Sequence, residues 1–157
     1  MASKTEEEAA APLNIFQIIS RISDEAGALA KTMEQGSGLK FAFRGIDGVI
    51  NHLSPYFQKY GVVVIPAVVD KVTSTRELQG GKAITQTDLT VMFTFYAPDG
   101  SSVAAQTVGL AQDYADRSAA QAQSVALRVA LLQTFFLPTQ DKSPEAAGEE
   151  TQRYIDG

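Results

Sequence analysis

The stretch AITQTDLTVMFTFY, Ala83 to Tyr96, alternates with a period of two: Leu89, Val91, Phe93 and Phe95 fall on one side, Asp88, Thr90, Met92, Thr94 and Tyr96 on the other. Such alternation is the mark of a β-strand with one buried face. Turn residues bound it on both sides. Gln79-Gly80-Gly81-Lys82 precedes it and Ala97-Pro98-Asp99-Gly100 follows it, and Gly, Pro and Asp at these spacings reverse the chain. Upstream, Val62 to about Leu78 is β-branched and opens as the run VVVIPAVV, in which Pro66 forces an edge position or a bulge because it has no N–H to give a ladder. Downstream, Ser101 to Gly109 supplies a third strand. Connections this short make the three strands an antiparallel meander.

A long helix follows, from about Asp116 to Phe136, rich in Ala, Gln and Leu and free of internal Gly and Pro. Asp113 or Asp116 is placed to cap it, and Pro138 follows its end. Its apolar stripe runs through Ala119, Ala122, Val125, Ala126, Val129, Leu132 and Phe136; a second stripe carries Arg117, Gln121, Ser124 and Arg128. A three-stranded antiparallel meander with a long helix on one face is the simplest way to bury both apolar surfaces, so the expected class is α+β.

Two helices are expected ahead of the sheet. Leu13, Phe16, Ile19 (or Ile18), Ile22, Ala26, Leu29, Ala30 and Met33 recur at helical spacing over 13–34, with Gly27 weakening the middle and Gln35-Gly36-Ser37-Gly38 ending it. Residues 39–46 alternate briefly, as a short strand or an extended segment does, and Asp47 is placed to cap a helix that reaches about Tyr60 and stops at Gly61. Pro55 inside it predicts a kink or a break. Residues 1–12 and 141–157 read as disordered acidic ends around one domain over 13–140.

Of the 157 residues, 13 are Lys or Arg and 18 are Asp or Glu, giving net −5. At face value this argues against a nucleic-acid binder. By segment it does not: residues 1–37 and 141–157 each carry net −3, and 38–140 holds eight basic against seven acidic residues. There is no Cys, which removes disulfides, zinc thiolates and thiol catalysis together. The start MASKTEEEAAAP lacks the basic and apolar regions of a secretory signal, and no apolar run is long enough for a membrane helix, so a cytosolic setting is expected. His52 is the only histidine and stands in NHLSPY, without a nucleophile-elbow pattern. Gly80-Gly81-Lys82 lacks the rest of a phosphate-binding loop. Asp113 and Asp116 make half of a magnesium site at most, and helix capping is the simpler role for them. The expectation is a protein that is not an enzyme and needs no cofactor.

Three stretches in order carry a resemblance. The first is Phe41-Ala42-Phe43-Arg44-Gly45-Ile46-Asp47-Gly48-Val49-Ile50 with Gly61-Val62-Val63-Val64-Ile65-Pro66. The second is Phe93-Thr94-Phe95-Tyr96-Ala97-Pro98-Asp99-Gly100. The third runs from Gly109 through Asp113 and Asp116-Arg117-Ser118-Ala119 to Arg128 and Pro138-Thr139. Together they resemble the ERF (essential recombination function) superfamily of phage single-strand annealing proteins, over about residues 39–140. The resemblance implies a β-β-β-α core, ATP-independent annealing of complementary DNA strands in recombination and repair, assembly into rings or filaments, and a place in the cytoplasm of a bacterial host as a phage or prophage product. Where the family pattern has Asp-Lys-Ala and a further Lys four residues on, this chain has Asp116-Arg117-Ser118 and Gln121.

An annealing protein must hold one strand extended without reading its sequence, which phosphate contacts do. Candidate contacts are Arg44, Arg117, Gln121 and Arg128, with Lys71, Arg76 and Lys82 on the first hairpin and Tyr114 as a stacking residue. Tyr96, which shares a strand with Phe93 and Phe95, is expected at the core or its edge. Weak grips in series gain strength by self-assembly, for which the apolar strand 62–69 and the first helix offer surfaces. The acidic ends suit a protein partner, with a host single-strand-binding protein as the candidate. Two rival readings remain: a structural or regulatory oligomer of the same fold that has lost DNA binding, and a metal-dependent nuclease using Asp113 and Asp116.

Overall fold

A computed structural model gives the architecture; it describes residues 11–29, 32–33, 42–43, 45–114 and 116–138. In chain order the elements are α1 (Ile15–Ala26), β1 (Thr32–Met33), β2 (Ala42–Phe43), α2 (Ile46–Tyr60), β3 (Val63–Glu77), β4 (Ala83–Tyr96), β5 (Ser102–Asp113) and α3 (Ser118–Thr134). β3, β4 and β5 form an antiparallel sheet in that order, and β1 pairs with β2 in a separate two-stranded ribbon. The fold is α+β, with the expected meander and helix at its centre.

β4 is the middle strand and its alternation sets the core. Leu89, Val91, Phe93 and Phe95 are all buried on the face that α3 covers. α3 meets them with a row of small residues, Ala122, Ala126 and Ala130, each fully buried. The row lets the helix come down close. At Gly109 of β5 a Cβ would lie 1.8 Å from the carbonyl oxygen of Ala122, so only a residue without a side chain fits beneath the helix there. Polar ties fix the register of helix on sheet: Thr107 Oγ1 donates to the Ala126 carbonyl at 2.7 Å, and the hydroxyls of Thr87 and Ser118 meet at 2.8 Å in the interior.

α1 and α2 close the end of the sheet where β3 begins and β4 finishes. Phe57 of α2, Phe95 of β4 and Phe135 just past α3 form an aromatic cluster with ring centroids 5.2 to 6.4 Å apart, edge-on or tilted as ring quadrupoles prefer. The β4–β5 turn holds α1 in place. Ser101 Oγ accepts the Ile15 N–H at 2.7 Å and donates to Asp99, whose carboxyl these Ser101 bonds keep below its ordinary range.

Several elements depart from the sequence expectation. The first helix does not reach residue 34; it ends at Ala26 with Gly27 at φ 60, a backbone angle that suits glycine. Its start is a capping box between Asn14 and Gln17. α2 begins at Ile46 with Gly45 as its cap, leaving Asp47 inside the first turn, and it runs unbroken through Pro55. Pro55 and Asn51, the residue whose carbonyl the proline leaves without its helical donor, are both exposed, so water can serve that oxygen. β5 extends to Asp113, four residues past Gly109. At the end of α3 the buried aromatic is Phe135, while Phe136 is 85% exposed at φ 46. Tyr96 lies half-exposed on the sheet's other face and is not a core residue. The linker 35–38, most of the segment expected at 39–46, residues 1–10 of the acidic lead-in and the whole acidic tail 141–157 lie outside the described residues.

A polar clasp joins α1 to α2. The Glu25 carboxylate accepts from Lys59 Nζ at 2.9 Å and from the Tyr60 hydroxyl, and Tyr56 donates to the Glu25 carbonyl at 3.1 Å. The Tyr60 and Lys59 bonds hold the Glu25 carboxyl below its ordinary range, and the Glu25 bond raises Lys59. A depressed carboxyl stabilises the fold above its unfolded value and loses that contribution as pH falls through its folded value. The raised amine contributes below its own unfolded value and loses it as pH rises. Glu25→Gln should therefore lower the thermal midpoint at neutral pH, and the gap from the native chain should close as pH falls below about 4. Parallel melts from pH 7 to 3 check this.

Candidate nucleic-acid interface

The end of the molecule opposite α1 and α2 gathers the β3–β4 turn, the end of β5 and the start of α3. Asp113, the last residue of β5, is 8% exposed and accepts from Gln121 Nε2 at 3.0 Å; Arg117 Nε stands 3.4 Å from the same Oδ2. Two sequence candidates, Arg117 and Gln121, are thus brought together on one carboxylate. The Arg117 side chain remains 73% exposed, so Asp113 holds the Nε end while the rest of the guanidinium faces solvent. Helix capping, expected of Asp113 or Asp116, is performed by neither: the residue before α3 is Arg117 and no side chain caps it.

Arg128 continues this stripe. It lies seven residues after Gln121, half-buried, and about 16 Å along the axis from Arg117 at roughly 1.5 Å per residue. The side of α3 that adjoins this stripe at Ser124 is different. Ala120, Gln123, Ser124 and Leu127 line a hollow of about 400 Å³ against Val64, Pro66 and Phe93, and it contains no charge.

The hairpin cations are divided between the two faces of the sheet. The pairing of β3 with β4 slips between Val68 and Asp70, where an extra residue makes a β-bulge. Before the bulge the even-numbered residues of β3 share the face of buried Phe95 and Phe93; after it the odd-numbered ones do. Lys71, opposite Leu89, therefore stands on the α3 side, while Arg76, opposite Ile84, stands on the open side. Both are exposed. Lys82 and Tyr114 meet at the tip, where they line a shallow hollow with Leu78, Gln79 and Ala83. Tyr114 is 69% exposed, free to stack on a flat partner. Arg44 lies outside the described residues.

No single groove collects these side chains. Arg117, Gln121 and Arg128 form one stripe, Lys82 and Tyr114 a second cluster at the same end, and Lys71 and Arg76 point to opposite faces. Sequence reasoning missed the part played by Asp113, because it belongs to β5 and helical spacing from Arg117 and Gln121 does not reveal a contact made from outside the helix. His52 is occupied in the fold, with Nε2 3.3 Å from the Gly27 carbonyl. Among the described residues no three acidic or histidine side chains cluster as metal ligands, and no helix is long and apolar enough to cross a membrane.

The sheet, the helix laid across it and the segment from Gly109 to Arg128 are the parts the sequence resemblance rests on. Compared with protein families, the chain matches the ERF superfamily over residues 15–154. The chain belongs to the ERF superfamily. The match begins at α1 and extends past α3 into the acidic C-terminal stretch, so it is wider than the 39–140 seen by motif. Among curated proteins, no sequence matches the chain. ERF proteins are annealing proteins of phage recombination, and the family as a whole is not one of enzymes.

Proposed function

We propose that this ERF chain binds single-stranded DNA through its phosphates and, as an assembly of several copies, anneals complementary strands without ATP in phage recombination and repair. The observation that carries the reading is the Asp113–Arg117–Gln121 constellation, which offers an outward, oriented guanidinium and an amide donor at the start of α3 within a chain of this family. Arg117 and Arg128 contact phosphate, Lys82 adds charge at the tip, and Tyr114 stacks on a base without covering its pairing edge. A guanidinium tied at Nε still has its terminal N–H donors for a phosphate. Each subunit grips weakly and the assembly multiplies the grip. The chain acts in the cytoplasm of the phage's bacterial host, and its acidic ends are the surface for a protein partner such as a host single-strand-binding protein.

The test is a salt titration of labelled single strands. Arg117→Ala with Arg128→Ala should weaken binding about equally for all sequences and lower the salt slope by about 0.7 for each lost contact. Unchanged slope and affinity in the double variant would refute the assignment. In parallel, complementary labelled strands are mixed with the native chain and magnesium but no ATP; degradation in place of annealing would mean a nuclease.

One observation favours a second reading, an oligomer of this fold that has lost DNA binding. Over residues 70–90 and 109–121, the end that carries the candidates, four basic residues face five acidic ones. Absence of binding even at low salt is the result that selects it.

A further inference from the structure

The largest surface left unexplained is the face of the sheet that α3 does not cover. Along it stand Val63, Ile65 and Val72 of β3, Tyr96 of β4, and Val108 and Leu110 of β5, each between 43% and 60% exposed. The paired registers put twenty residues of the three strands on this face. At about 3.4 Å per residue and roughly 4.8 Å between strands, an outward residue covers about 33 Å² of sheet, so the face spans about 650 Å² before side-chain relief is added. A stable protein–protein interface takes about 800 Å² and roughly 20–30 residues from each partner. The face is therefore close to the size an interface needs, and ten of its twenty residues are apolar.

Its chemistry selects the occupant. Only three of its residues are charged, Asp70, Arg76 and Asp88, and two of these are acidic. A polyanion gains nothing there. A face half of whose residues are apolar, with Thr, Ser and Gln for most of the rest and few charges, is complementary to another like itself, and two antiparallel sheets stack about 10 Å apart when they pack face to face. The stripe on α3 that runs through Gln121, Ser124 and Arg128 is polar and makes a poor partner for it. We infer that the uncovered face of the β3–β4–β5 sheet is where a second copy of this chain packs, sheet against sheet, in a two-fold contact. In such a contact the same patch is used by both copies, and residues near its centre meet themselves. Thr90 and Met92 of the middle strand occupy that centre. The inference takes from the preceding reading only that copies assemble; it needs no DNA.

Two measurements test it on the full chain. Ile65→Glu with Val108→Glu, both at exposed positions, should keep the native circular dichroism and reduce the mass in solution at least twofold relative to the native chain. Because the chain has no cysteine, Thr90→Cys gives a single reactive site in an otherwise native protein. A short bis-maleimide should link two such chains efficiently, while Asn51→Cys on the exposed side of α2 should link several-fold less. A native chain that is monomeric at all concentrations overturns the inference. So does an oligomer whose mass the glutamates leave unchanged, which would give the face to another occupant such as the acidic tail. Linking at Thr90 with no binding of single strands would retain this interface and refute the DNA reading. Binding of single strands by oligomers that Thr90→Cys does not link would do the reverse.

Discussion

Gly109→Ala should cost this protein about 3 kcal/mol or more, among the largest effects of any single methyl group in it. The added Cβ would lie 1.8 Å from the Ala122 carbonyl oxygen and 2.8 Å from both the Ala122 carbonyl carbon and the Ala126 nitrogen. All three are backbone atoms of α3, so no side chain can turn aside to make room. The helix must lift, and lifting it opens gaps around Val91 and Phe93 and stretches the Thr107 bond to Ala126. For a chain of this length about 3 kcal/mol corresponds to a fall of roughly 10 °C in Tm. Calorimetry checks it, and a second-site change sharpens it. Ala122→Gly should not rescue the variant, because the clash is with the carbonyl of residue 122 and not with its methyl. Full rescue, or a loss under 1 kcal/mol, would refute the close-packing account.

Phe135→Ala should cost about 3–5 kcal/mol. Phe135 is fully buried, and its ring lies 5.2 Å from Phe57 and 5.5 Å from Phe95 between centroids. It joins three elements: the end of α3, α2, and the end of β4. Removing it leaves a cavity where α1 and α2 lean on the sheet, and a natural domain has only about 5–15 kcal/mol in hand. Phe136→Ala is the built-in comparison. One residue away but 85% exposed, it should change stability little. Urea denaturation of the two variants should separate them by at least 2 kcal/mol; similar losses would mean that the aromatic cluster does not join these elements.

The fold was legible wherever burial follows a period. β4 has one wet and one dry face, so its alternation named Leu89, Val91, Phe93 and Phe95 as core, and that face is the one α3 covers. The end of β5 was not legible, because Gly109 reads locally as a terminator. Its reason for being glycine is a helix that arrives only after the chain has turned back. The choice between Phe135 and Phe136 was missed for a similar reason: helical phase favours 136, but α3 ends at Thr134 and the chain leaves the helix before that phase applies. Of the candidate site, the Arg117–Gln121–Arg128 stripe was legible from spacing. Its anchor, Asp113, was read as a cap because the boundary between strand and helix was placed four residues early.

The bulge between Val68 and Asp70 also makes the hairpin a parity device. One extra residue in β3 decides, for every position from there to the tip, which side of the sheet a side chain inhabits. Lys71 shares a face with α3, and Arg76 the face proposed to be shared with a second copy, because the bulge holds that residue outside the ladder and not because of anything in their immediate neighbourhood. The composition of the strand could drift widely while this arrangement persists. Deleting the extra residue would leave both cations on their present faces, whereas drawing it into a regular ladder would exchange them without changing the net charge.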